Sequence, residues 1–233
     1  MDSDSHLKSI QIRVQRTLSQ GPPTDLSTLK CNQYLRRHVN KKTKLVVLCV
    51  DLVGSTKLTL SLLPHELISI INIFSTEMSI IISGHGGYVL KYVGDAVIGI
   101  FPAEFDSQKA CFNALDSAKT MVRVITKVIN PVLYNKLPQI QVKIGIDLGE
   151  SMIVLYGKNL DTSHIDLIGS VISIASKITA LAKPNQILFS ENIFENIANV
   201  SKDMKFEKLD IVDESWDYIN TKTSKILNLF TLE

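Results

Sequence analysis

Two apolar runs, each ending in an aspartate, decide how this chain is read. The first is Leu45-Val46-Val47-Leu48-Cys49-Val50-Asp51-Leu52-Val53-Gly54-Ser55-Thr56. The second is Val89-Leu90-Lys91-Tyr92-Val93-Gly94-Asp95-Ala96-Val97-Ile98-Gly99-Ile100-Phe101. Apolar, β-branched runs of this length read as buried strands. A carboxylate set against them must be paired, hydrogen-bonded or bound to a metal, because a bare buried charge is too costly. Two carboxylates brought together on one sheet suit a hard, oxygen-seeking cation such as Mg²⁺. That points towards phosphate chemistry.

Outward from these runs, Pro64 opens a helix of about five turns to Ser83, striped by Ile68, Ile71, Ile80 and Ile81 and stopped at Gly84-His85-Gly86-Gly87. Strands over 88–93 and 96–101 form a hairpin on the Gly94-Asp95 turn. A helix over about 105–130 is expected to end before Pro131. Gln139 to Asp147 and Ser151 to Tyr156 read as two strands, and Asn159 to His164 as a polar loop. Ile165 to Gly169 leads into a helix ending before Pro184, followed by strands at Gln186–Phe189 and Leu227–Leu232. Mixed βα order with a hairpin in the middle predicts an α+β fold with a ferredoxin-like antiparallel sheet and flanking helices. No Gly-rich phosphate loop of Walker or Rossmann spacing is present, which argues against a doubly wound sheet.

Ahead of this core, Leu7, Ile10, Val14 and Leu18 repeat at helical spacing, with Lys8, Arg13 and Arg16 off the stripe. Gly21-Pro22-Pro23 ends that helix, and a second starts near Thr24 or Ser27 and carries Leu29, Tyr34 and Leu35. The expected division is a basic helical extension over 1–42 and a core domain over 43–233. Residues 1–44 hold nine Lys/Arg against three Asp/Glu, while the rest hold sixteen against twenty. Such a basic arm is expected to pack beside the core and support a dimer, ahead of docking on an anionic membrane surface; nucleic acid is not expected. Cys31, Cys49 and Cys111 form no ligand spacing and read as small core residues in a reducing compartment. The polar N-terminus is not a signal peptide, and Leu62 to Ile82, the longest apolar run, is interrupted by Pro64, His65, Glu66 and Glu77. A cytoplasmic protein is expected. His65, His85 and His164 are scattered, Ser55 and Ser190 lack nucleophile context, and Trp216 with Tyr218 looks like a surface anchor.

Five segments in order resemble the class III nucleotidyl cyclase homology domain, shared by adenylate and guanylate cyclases. They are Asp51-Leu52-Val53-Gly54-Ser55-Thr56, Lys91-Tyr92-Val93-Gly94-Asp95-Ala96-Val97, Val142–Gly149, Asp166–Lys177 and Pro184–Ser190. The resemblance covers roughly residues 44–233. It implies that Asp51 and Asp95, with the Leu52 carbonyl, hold two Mg²⁺ or Mn²⁺ ions per site against a nucleoside triphosphate. It implies head-to-tail homodimers whose sites use both subunits. By the same resemblance Lys91 and Asp166 read the base: an ammonium donates to adenine N1 and a carboxylate accepts from its N6 amine. That favours ATP, giving 3′,5′-cyclic AMP and pyrophosphate. The chain departs from the family at Ser173, where Asn is expected to orient the ribose, and at Lys177, where Arg is expected on the phosphate. Lys143 stands where some members place a phosphate-facing Arg. Lysine keeps the charge but loses the bidentate fork. GTP or a pyrimidine triphosphate, or a degenerate nucleotide-binding scaffold, are the alternatives.

Overall fold

The computed structural model describes residues 3–22, 26–198, 204–211, 216–220 and 223–232. In chain order the elements are helices α1 (Ser3–Gln20) and α2 (Leu29–Arg36), strand β1 (Lys42–Leu52), helices α3 (Ser55–Ser61) and α4 (Pro64–Gly84), and strands β2 (Tyr88–Val93) and β3 (Ala96–Pro102). Then come α5 (Ser107–Val124), a π-helical turn (Ile125–Ile129), α6 (Asn130–Leu133), β4 (Val142–Tyr156), β5 (His164–Ile168) and α7 (Ser170–Leu181). The chain closes with β6 (Ile187–Ser190), α8 (Glu191–Ile197), β7 (Phe206–Lys208), β8 (Ile219–Asn220), β9 (Lys225–Ile226) and β10 (Leu229–Leu232).

The main sheet runs β2-β3-β1-β4-β6-β10-β7, with β5 paired to β4, and only the β4–β6 pair is parallel. This is the α+β, mostly antiparallel architecture that the element order predicts. β1 is central, and its side chains alternate between two cores. Val46, Leu48, Val50 and Leu52 meet α1, α4 and α5 on one face, while Leu45, Val47 and Cys49 meet α2, β5 and α7 on the other. A third cluster joins Ile174 and Ile178 to Leu188, Trp216, Leu227 and Leu229. Trp216 is therefore no surface anchor: it is buried, and its Nε1 donates to the Leu227 carbonyl at 2.9 Å. The three cysteines are buried and free.

Local chemistry explains most boundaries. At the start of α4, Pro64 fills the first turn and Glu66 accepts from the Leu63 N–H at 2.9 Å. Asp106 caps α5 by accepting from the Lys109 N–H at 2.8 Å. Both N-terminal helices pack into the two cores, through Ile10 and Val14 of α1 and Cys31 and Leu35 of α2. The α2 start expected near Thr24 or Ser27 falls instead at Leu29; Pro23 and Thr24 lie outside the described residues.

Three expectations are corrected. Pro131 does not stop the fifth helix, because the π-turn reopens the hydrogen-bond ladder and Pro131 enters the first turn of α6, where no N–H is needed. The strands expected over 139–147 and 151–156 are one strand, since Leu45↔Gly149 and Lys44↔Glu150 continue the β1 ladder through the gap. Gly149 is not a break there: a Cβ on it would lie 2.9 Å from Val171 Cβ, so its role is to admit α7. Residues 164–168 are not a lead-in but a strand, paired with the far half of β4. Helix α4 is long and apolar enough to cross a membrane, but half of that window is buried inside the fold, as in a core helix.

Candidate active site

The β1 strand delivers Asp51 at its end, opposite Ala96 of β3 and Lys143 of β4. Asp95 sits beside Ala96 in the two-residue turn of the β2–β3 hairpin. That turn needs a left-handed residue at its first position, and Gly94 supplies it with φ 60°. After Asp51 the chain reverses at Gly54, also left-handed at φ 69°, into α3. The two predicted carboxylates thus meet across neighbouring strands. Burial and the Asp95 carboxylate, through its charge and a shared hydrogen bond, push Asp51 up to about 6, against the opposing pull of the Leu52 backbone and Lys143. Asp95 Oδ2 is buried without a hydrogen-bond partner. A crowded carboxylate pair with an orphaned oxygen fits a divalent cation, which would satisfy both. No group of three or more His, Cys, Asp and Glu side chains gathers among the described residues. A cavity of about 440 Å³ opens beside the pair, lined by Leu52, Ser55, Thr56, Gly94 and Asp95 among others.

Lys91 and Asp166 also meet. The Lys91 ammonium, from β2, is bonded to Asp166 Oδ2, from β5, and both side chains are largely shielded from solvent. Asp166 Oδ1 accepts from the Leu167 N–H at 2.8 Å, which fixes its rotation. The pair lines a pocket of about 490 Å³, within the range of small-molecule sites. Among the described residues no hydrogen bond or ion pair joins it to Asp51 and Asp95.

The remaining predicted residues lie on or against α7. This helix crosses β4 closely, because a Cβ on Gly145 would run into the Ala175 carbonyl and Thr179. Val171, Ala175 and Ile178 face the sheet, leaving Ser173 and Lys177 on the exposed stripe, where neither side chain makes a hydrogen bond or ion pair among the described residues. Lys143 is half-buried next to Asp51, and its ammonium donates to the Ala180 carbonyl at 2.9 Å near the end of α7. It therefore ties α7 to the sheet as well as carrying charge beside the carboxylates. Among the histidines, His85 caps α4, its Nδ1 2.8 Å from the Ile81 carbonyl.

Sequence reading missed one wall of the pocket that Lys91 and Asp166 line. Thr28, Asn32 and Arg36, at i, i+4 and i+8 of the α2 region, line the same pocket as Lys91 and Asp166. Their spacing, opposite buried Cys31 and Leu35, is the sequence signal of a two-sided helix.

A fold of this topology with paired carboxylates at adjacent strand ends defines a class III nucleotidyl cyclase domain. Residues 38–215 match the adenylate and guanylate cyclase catalytic domain family, and the chain belongs to it. Among characterised relatives, a cytidylate cyclase of Escherichia coli is 28% identical over 172 residues, covering 70% of this chain and 37% of that protein. An adenylate cyclase of Anabaena cylindrica is 30% identical over 163 residues, covering 66% and 31% respectively. The chain thus spans about a third of the length of these relatives. The adenylyl cyclase CyaB of P. aeruginosa shares the fold, with a TM-score of 0.69 at 20% identity over 83% of this chain and 95% of that one. The guanylyl cyclase Cya2 does so at 0.68 and 19%, covering 83% and 93%.

Proposed function

We propose that the chain is a cyclase acting on ATP, forming 3′,5′-cyclic AMP and pyrophosphate at sites shared by two head-to-tail copies. The observation that carries this reading is the Lys91–Asp166 pair walled into its own pocket. An ammonium beside a carboxylate matches the acceptor N1 and donor N6 of adenine, whereas guanine and uracil present the reverse order. In the reaction O3′ attacks the α-phosphorus, the 3′-hydroxyl proton is released, the bond to the β-phosphate oxygen breaks and pyrophosphate departs. Asp51 and Asp95, with the Leu52 carbonyl, would hold two divalent cations, Mg²⁺ or Mn²⁺, which supply charge neutralisation at the triphosphate and acidify the 3′-hydroxyl. Lys177, exposed on α7 and without a side-chain partner among the described residues, brings a positive charge to the phosphate, and Ser173 on the same helix meets the ribose. A lysine in place of a bidentate arginine predicts slow turnover. Lys143 contributes through its position against Asp51.

One observation favours a second substrate. The edge of cytosine, acceptor N3 beside donor N4, matches Lys91 and Asp166 as well as adenine does. The Escherichia coli relative that is 28% identical is a cytidylate cyclase. The deciding experiment incubates the purified chain with Mn²⁺ or Mg²⁺ and each of ATP, GTP, CTP and UTP, identifies products by mass spectrometry, and uses Asp95→Ala as control. Cyclic AMP, lost in the control, is the expected result. Cyclic CMP alone would move the assignment to cytidine. No cyclic product from a folded protein would leave a nucleotide-binding scaffold.

A further inference from the structure

Lys91 and Asp166 select amino bases over keto bases but do not separate adenine from cytosine, so another group must. We infer that helix α2 is that group: Asn32 reads the adenine edge that Lys91 and Asp166 leave free and sets ATP over CTP. This rests on the reading of Lys91 and Asp166 as base contacts.

Helix α2 is held firmly in place. Cys31 and Leu35 are buried in the core beneath it, and Tyr34 stacks on Tyr88 of β2 with ring centroids 5.3 Å apart. Arg36 clamps its far end, donating to the Leu160 carbonyl and, at 2.9 Å, to the Ser163 carbonyl of the β4–β5 loop. The clamp takes both guanidinium arms, so Arg36 serves as a positioning residue rather than a free cation. Thr28 and Asn32 are left half-buried on the pocket wall. Among the described residues the Asn32 side chain makes one hydrogen bond, a long one, its amide nitrogen 3.5 Å from Thr28 Oγ1. Its carbonyl oxygen and most of its donor capacity are unspent. A carboxamide is the side chain that matches adenine N7 and N6 together, one donor and one acceptor at fixed spacing. Cytosine has no N7, and its corresponding edge is a C5–H. An amide on this wall therefore rewards adenine and leaves a poorly satisfied polar group against cytosine.

The test is a selectivity ratio in the full chain. Asn32→Ala and the near-isosteric Asn32→Asp are compared with the parent for kcat/KM with ATP and with CTP. Binding of 3′-deoxy-ATP and 3′-deoxy-CTP, which lack the attacking hydroxyl, is measured in parallel by calorimetry. Both variants are expected to lower the ATP:CTP ratio by roughly five- to hundredfold, the worth of one bidentate base contact, with CTP little changed. The 3′-deoxy nucleotides should show the same selective loss. An unchanged ratio in Asn32→Asp overturns the inference, and so does an equal loss for both nucleotides. If the parent turns over no nucleotide, the cyclase assignment fails on its own, and the 3′-deoxy binding ratio still decides the role of Asn32. Failure of both 3′-deoxy nucleotides to bind overturns it.

Discussion

Asp147 is a carboxylate that the fold keeps buried at a cost. It is buried in β4, where its Oδ1 accepts from Ser190 Oγ at 2.5 Å and from Asn192 Nδ2 at 3.2 Å. Burial outweighs these bonds and pushes the carboxyl from 3.8 up to about 6. Between these two values the folded chain keeps a proton that the unfolded chain releases, so stability falls as pH rises through that window. Above pH 6 both states are ionised and the whole cost is present. An amide oxygen accepts the Ser190 and Asn192 bonds without a charge, while the bond from the Leu148 N–H is given up, so Asp147→Asn should recover part of the burial cost at pH 7. A displacement of about two pH units caps the gain at about 3 kcal/mol, and it should shrink towards zero near pH 4. Urea midpoints at pH 7 and pH 4 measure it, and a difference independent of pH would show that Asp147 is not the titrating group. At this scale the sequence is partly legible. Asp51 and Asp95 stand out because a strand followed by a glycine turn leaves a carboxylate few places to go. Asn32 does not, because its meaning depends on α2 lying against β2 and β5, residues far along the chain.

Among the elements, α1 shows how a helix outside the matched family region becomes part of the core. Arg13 donates through Nε and Nη2 to the two carboxylate oxygens of Glu77 on α4, at 2.7 and 2.6 Å. The Glu77 side chain is 1% exposed, while Arg13 remains 27% exposed. Removing only the arginine strands a buried carboxylate, whereas removing both charges with apolar replacements does not. Arg13→Ala should cost about 3–5 kcal/mol, and Arg13→Met with Glu77→Leu should recover most of it. Chemical denaturation of the three variants checks this; a loss under 1 kcal/mol in Arg13→Ala would mean that α1 is loosely held. The stripe of Leu7, Ile10, Val14 and Leu18 announced a two-sided helix, yet the partner of its off-stripe arginine could not be read locally. Short elements were hardest to read. Helices α3 and α8, of seven residues each, complete too few turns to show a period, and the continuity of β4 depends on Val171 filling the space above Gly149.

For the whole molecule, the two halves of the site pose a question of assembly. Asp51 at the end of β1 faces Asp95 in the β2–β3 turn, Lys91 and Asp166 share a separate pocket, and Ser173 and Lys177 face outward on α7. Among the described residues no hydrogen bond or ion pair joins the Lys91–Asp166 pair to the two carboxylates, and only Lys143, beside Asp51 and bonded to the Ala180 carbonyl, reaches from the carboxylate end to α7. The β4–β5 hairpin meanwhile leaves the cross-strand neighbours Met152 and Ile168, together with Tyr156 and Leu160, between 40% and 54% exposed. A two-fold, head-to-tail pairing would cover such a surface and set the carboxylates of one copy against the base pocket of the other. The consequence is complementation. On the proposed shared site, Asp51→Ala would remove the metal half and Asp166→Ala the base half, so each homodimer should be nearly inactive. In a mixed dimer one of the two sites inherits both defects and the other inherits none. Random exchange of equal amounts makes about half of the dimers mixed, so about a quarter of the parental cyclase activity should return after co-refolding. Recovery of that order requires a site built from two copies. Two variants that stay as inactive together as they are apart would place all the working groups within a single chain.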